Sequence, residues 1–178
     1  MTKPLERWMK DNWLLNGKPQ NCAQSAPSPF EIERQQCAMQ WMARHTGREA
    51  IYVDHEPKCC TDWTIYKNPR TPFPVRIDEF RPRNETMSSQ PDLWFPKKKW
   101  VKIINTELHT KFPSYVVILL RDECLYEIRP VEYRPIWRTW QESKMGRNGP
   151  VKSGEGEPGI HIEWNLLVKL GHLSDYYF

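Results

Sequence analysis

No stretch of this 178-residue chain stays apolar over the length that a membrane-spanning helix needs. Met1 to Leu15 is charged and broken by Pro4, so it lacks the apolar centre of a secretory leader. No membrane partner is expected, and the expected location is cytoplasmic, in the host cytoplasm if the source is viral. Glycine is scarce, eight residues against sixteen prolines, so turns and extended linkers rest mainly on proline. No internal repeat is present, which sets aside repeat architectures. The five cysteines, Cys22, Cys37, Cys59, Cys60 and Cys124, are odd in number and include no CxxC pair. His55 with Cys59 and Cys60 therefore lacks the paired spacing of a structural zinc site, and reduced thiols are expected. Charge of one sign is also in short supply. Twenty-six Lys and Arg face 22 Asp and Glu, a net of +4 that suits a nucleic-acid partner without requiring one.

Tryptophan, by contrast, is plentiful, with nine residues. Each can bury a large area or serve as a stacking platform for a base, and most are expected in the core or at partly covered surface. The length suffices for one domain with its own core.

Along the chain, Leu5, Trp8, Met9 and Trp13 fall at helical spacing, and Gly17 to Pro29 reads as a polar, Pro-rich linker. Ser28 as N-cap and Pro29 at the first helical position open a helix that Gly47 closes. Its apolar stripe is Phe30, Cys37, Ala38, Trp41 and Met42. Glu33 lies one turn before Cys37. It is either a carboxylate at the edge of the buried stripe or a solvated first-turn acid favoured by the helix dipole. Ala50 to Asp54 is a short strand. Trp63, Ile65 and Tyr66 make the next, with Asp62 at its start. Val75, Ile77, Glu79 and Arg81 alternate along a third, on one face. The sixteen residues between Asp62 and Glu79 suit one hairpin, which would set the two acids side by side. Asp78 points to the opposite face.

Asn84 to Pro91 reads as an exposed loop. Pro96 then opens a helix from Lys97 to Thr110, with Trp100, Ile103, Ile104 and Leu108 as its apolar face. Lys97, Lys98 and Lys99 at its N-terminus oppose the helix dipole unless they meet anions. The run is either phosphate-facing or simply solvated. Tyr115 to Leu120 is a strand buried on both faces, and Leu125 to Ile128 returns beside it. Val131 to Trp140 carries four large aromatic or apolar side chains. Lys144 to Gly159 is Gly-rich and charged and is expected to be mobile. Ile160 to Leu170 is a last structured piece of ambiguous type.

The chemistry-bearing residues are therefore Asp62 and Glu79 as hard oxygen ligands for a divalent cation, with Glu33 as a third acid. Arg81 stands two residues past Glu79, on the same face, where its cation could reach a phosphate shared with the metal. Trp63, Trp94 and Trp100 lie close by in sequence and could stack on an unpaired base or wedge a duplex, or else cap the core.

Glu33, Asp62, Glu79-Phe80-Arg81 and Lys99, taken in this order of elements, resemble the PD-(D/E)xK nuclease superfamily over about Phe30 to Pro130. The superfamily includes restriction endonucleases, Holliday-junction resolvases and phage recombination nucleases. The resemblance implies an α/β, restriction endonuclease-like fold: a central mixed β-sheet flanked by helices, in the order helix, three strands, helix, strand. It implies that Asp62 and Glu79 bind Mg²⁺ or Mn²⁺. It matches Glu33 to the acid found on the first helix of some members and Lys99 to a basic residue on the later helix. Arg81 stands where the family usually has Lys, and Thr61 rather than Pro precedes Asp62. Arg83 joins Lys97, Lys98 and Lys99 as a candidate nucleic-acid contact.

The implied function is metal-dependent hydrolysis of phosphodiester bonds in DNA, or else RNA, in phage or mobile-element processing. A homodimer is one option for the assembly. Residues 30–140 would form the nuclease-like core, 1–29 an N-terminal arm and linker, and 141–178 an extension packed on that core. Two other functions stay open: a non-catalytic nucleic-acid-binding module on the same fold, and a phage structural or interaction protein.

Overall fold

The computed structural model describes residues 29–55, 61–71, 73–83, 86–90, 92–133, 142–146, 149–150 and 157–176. The N-terminal arm, Cys59, Cys60 and most of the 131–140 segment lie outside the described residues.

Helix α1 spans Pro29–Thr46. Its apolar spacing buries Ala38, Met39, Trp41 and Met42 on one side. Arg44 and His45 fall in the last turn, where cations suit the dipole, and Gly47 N–H closes the end on Ala43 O at 3.1 Å. Three strands follow: β1 Ile51–Asp54, β2 Trp63–Tyr66 and β3 Pro74–Pro82. They pair antiparallel in sequence, with Asp54 opposite Trp63 and Trp63 opposite Asp78.

A short strand that the sequence reading did not anticipate, β4 Asp92–Pro96, comes next. It alternates Leu93 and Phe95 into the core. Helix α2 spans Lys97–Thr110 and buries Trp100, Ile103 and Ile104, while Leu108, expected on the apolar face, is exposed. It ends on Lys111, a non-glycine residue in the left-handed region at φ 64°, whose N–H bonds Glu107 O. Strand β5, Ser114–Leu119, then lies parallel to β3, and β6, Cys124–Ile128, returns antiparallel to β5.

The remaining strands are β7 Glu142–Gly146, β8 Gly149–Pro150, β9 Glu157–Glu163 and β10 Val168–His172, with short 3-10 turns at Trp164–Leu166 and Leu173–Tyr176. Lys144 to Gly159 was expected to be mobile. Its described portions instead form β7, β8 and the start of β9. The reason is pairing with partners distant in sequence, since β9 runs between β7 and β4.

The strands assemble into a central mixed sheet in the order β1-β2-β3-β5-β6-β10 and a four-stranded sheet in the order β4-β9-β7-β8. On one face of the central sheet, α1 packs through Trp41 and Met42 against Trp63, Ile65, Phe80, Val117 and Leu119. On the other, α2 and the smaller sheet pack Trp100, Ile103, Phe95, Ile160 and Ile162 against Val116 and Ile118. Each fully buried side chain of this size stabilises the fold by about 1.5–3 kcal/mol before entropy is subtracted. The result is α/β, a central mixed sheet flanked by helices. Helix, three strands, helix, strand is the expected order, with β4 inserted before α2. Among the described residues no helix is long and apolar enough to cross a membrane.

Candidate active site

Alternation along β3 divides its polar residues between two environments. Phe80 belongs to the core under α1, whereas Glu79 reaches Lys99 of α2 and Arg81 stands over the Phe95 ring of β4 at 5.4 Å. Carried on by one residue, the Trp63–Asp78 register sets Asp62 opposite Glu79. Asp62 N–H donates to Asp78 O at 2.8 Å, tying the start of β2 to β3. The β2 pairing ends there, so the next N–H of β3 has no strand partner on that side. The Asp62 carboxylate takes that place: its Oδ2 accepts from Phe80 N–H at 2.6 Å.

Glu79 is buried, with 1% of its side chain exposed. Its Oε1 accepts from Lys99 Nζ at 2.7 Å and lies 3.0 Å from an Arg81 guanidinium nitrogen. Its Oε2 is buried without a hydrogen-bond partner. An orphaned carboxylate oxygen is costly in a low-dielectric site and calls for a cation or a donor. Asp62 shows the same demand. Its pKa is pushed up to about 7, first by burial and then by the neighbouring Glu79 charge, against the pull of Phe80 N–H, Lys99 and Arg81. Two hard oxygen donors, one of them unpartnered, fit a Mg²⁺-class ion, which commonly takes one or two carboxylates and completes its shell with water and phosphate oxygens. Among the described residues no cluster of three His, Cys, Asp or Glu side chains is placed to hold a metal.

Asp62, Glu79, Arg81 and Lys99 are thus brought together. Glu33 is not. It is exposed on α1 and has no hydrogen bond or ion pair to the other four among the described residues. The physical reason is the layering: α1 covers the face of the sheet that carries Phe80, and Glu79 and Arg81 point to the other. The lysine run also divides. Lys98 is exposed, Lys97 half-buried, and Lys99 is held by Glu79. Arg83 donates to Trp94 O at 2.7 Å, so it anchors β4. Trp63 and Trp100 are fully buried, which removes both as stacking platforms, and Trp94 is half-buried. Trp63 Nε1 instead donates to Asp78 Oδ2 at 2.7 Å.

Two features around the site were not read from the sequence. His55 is half-buried, and both of its ring nitrogens have protein partners. Arg76 pairs with Asp78 and Glu127 at 2.8 Å each and lies over the Tyr115 ring at 4.0 Å. The i, i+2 spacing of Arg76 and Asp78 within a strand was the available signal for that second cluster.

No protein-family model and no curated protein sequence matches this chain. Among solved structures it is similar to Hjc, a Holliday junction resolvase from the archaeal hyperthermophile Archaeoglobus fulgidus. The match has a TM-score of 0.46 and 12% identity, over 79% of this chain and 89% of that one.

Proposed function

We propose that this chain is a divalent-metal-dependent nuclease that hydrolyses phosphodiester bonds in DNA, in phage or mobile-element DNA processing. The observation that carries the reading is the convergence of a buried carboxylate with an orphaned oxygen, a second, half-buried carboxylate and two cations in one place. Metal-assisted phosphodiester hydrolysis uses that combination. Asp62 and Glu79 would hold a Mg²⁺ or Mn²⁺ ion, which supplies a water of lowered pKa and polarises the phosphate. Arg81 and Lys99 neutralise Glu79 before substrate arrives, and both can turn toward non-bridging oxygens as negative charge builds there. Arg81 binds as a planar fork and does not transfer protons. Phe80 N–H fixes one oxygen of Asp62 and leaves the other for a ligand.

One observation favours a second reading, a non-catalytic nucleic-acid-binding module. Both cations already sit on Glu79 Oε1, and the position of the family's usual Lys is held by Arg81. The test is cleavage of labelled single-stranded, duplex and branched DNA with Mg²⁺, Mn²⁺ or EDTA, beside Asp62→Asn and Glu79→Gln. Cutting that needs metal and is lost in both variants, with DNA binding retained, is expected. Cutting that survives both changes would refute the assigned site. Salt-sensitive binding without cutting would favour the binding module.

A further inference from the structure

Resting on that reading of the site, we propose that His55 is a positioning residue for Asp62: its imidazole clamps the residues on both sides of Asp62 and so fixes where the carboxylate stands. Continued by one residue, the β1–β2 register sets His55 opposite Asp62, just as the β2–β3 register sets Glu79 opposite Asp62 on the other side. His55, Asp62 and Glu79 therefore form one row across three strands. His55 N–H donates to Asp62 O at 2.9 Å. The ring Nδ1 lies 3.0 Å from Thr61 O and 3.1 Å from Thr61 Oγ1, and Nε2 lies 2.7 Å from Thr64 Oγ1.

These partners fix the tautomer. A carbonyl oxygen can only accept, so Nδ1 carries the hydrogen and donates to Thr61 O. Nε2 then keeps its lone pair and accepts from the Thr64 hydroxyl. The ring thus ties the residue before Asp62 to the residue two places after it, and the His55 amide holds the carbonyl between them.

The clamp sits where it is most needed. Asp62 precedes the first paired residue of β2, and strand ends fray. Liganding oxygens tolerate displacements of only about 0.5 Å, so a strand-end carboxylate requires support from behind. These bonds straddle the one residue whose side chain reaches across to Phe80.

The experiment compares wild type with His55→Phe, which keeps a flat ring and removes its hydrogen bonds, and with Thr64→Val, which removes only the Nε2 partner. His55→Asn serves as a partial rescue, because its amide can still donate near Thr61 O. The first readout is amide hydrogen exchange at Phe80, whose N–H bonds Asp62 Oδ2 and needs neither metal nor substrate. The others are Mg²⁺ affinity by calorimetry and the separation of kcat from KM. Faster exchange at Phe80 with Val117 unchanged is expected in His55→Phe and Thr64→Val, together with a Mg²⁺ Kd raised about tenfold. A fall in kcat at unchanged KM should accompany them, and His55→Asn should recover part of each effect.

Wild-type exchange at Phe80 and wild-type Mg²⁺ affinity in folded variants would overturn the proposal. So would a uniform rise in exchange across β2, β3 and β5, which would make His55 a core residue only. Should His55→Phe not fold, Thr64→Val carries the same expectations. A wild type that neither binds Mg²⁺ nor cuts DNA would refute the nuclease reading, while the Phe80 amide would still decide whether His55 positions Asp62.

Discussion

Replacing Asp62 by Asn should stabilise the metal-free protein, and by an amount that grows with pH. The Asp62 pKa rises on folding from 3.8 to about 7. Between these values the folded state keeps a proton that the unfolded state has released, so stability falls as pH rises, by up to about 1.4 kcal/mol per pH unit. The contribution is fully present below the unfolded pKa and is lost as pH climbs through 7. The shift of roughly three units gives an upper limit of about 4 kcal/mol, and the partial exposure of Asp62 reduces it to about 2 kcal/mol. Asn keeps an oxygen for Phe80 N–H, so the comparison isolates the charge. Urea unfolding followed by Trp fluorescence, from pH 4 to 8 in EDTA, reads the effect. The variant's advantage over wild type should grow by about 2 kcal/mol across that range. Mg²⁺ at ten times its Kd should restore about 1.4 kcal/mol to the wild type and nothing to the variant. An advantage that stays constant with pH, or wild type gaining on the variant as pH rises, would refute the reasoning.

Arg81→Lys keeps a cation beside Glu79 and gives up the guanidinium fork, so under the proposed nuclease reading cleavage should be retained or raised if a point cation suffices at this position. Complete loss in the DNA cleavage assay would mean that bidentate phosphate contact is required. Asp78→Ala leaves Arg76 and Trp63 Nε1 without their shared buried acceptor and should cost about 3–5 kcal/mol. A loss under about 1 kcal/mol in urea unfolding would show that the cluster is not held by this carboxylate.

Asp62, Glu79, Arg81 and Lys99 could be read from the chain because each depends on a short-range rule. Alternation puts Glu79 and Arg81 on one face, hairpin spacing sets Asp62 against Glu79, and Pro96 starts the helix that presents Lys99. Glu33 depended on which face of the sheet α1 covers, and that is decided by the whole core rather than by the helix pattern. Strands β4 and β9 are short and meet across about 70 residues of sequence, as in the pairing of Asp92 with Glu163, so no local periodicity announces them. Trp63 and Trp100 could be either core or surface until the packing against Phe80 and Phe95 assigned them to the core. His55 was weighed only with Cys59 and Cys60 as a zinc site, because its partners Thr61 and Thr64 take on meaning only once β1 and β2 pair.

The late strands matter for how the molecule is made. Among the described residues, strand β4 finds its partner only in β9, and β6 has its outer edge covered only by β10. Synthesis runs from the N-terminus at about 5–20 residues per second, so both edges wait on the order of ten seconds for the strands that cover them. During that interval the growing chain presents two unpaired strand edges beside a hydrophobic surface, the state most prone to pairing with a neighbouring copy. Its yield in a cell should therefore depend more on translation speed, temperature and chaperone supply than the stability of the finished fold would suggest.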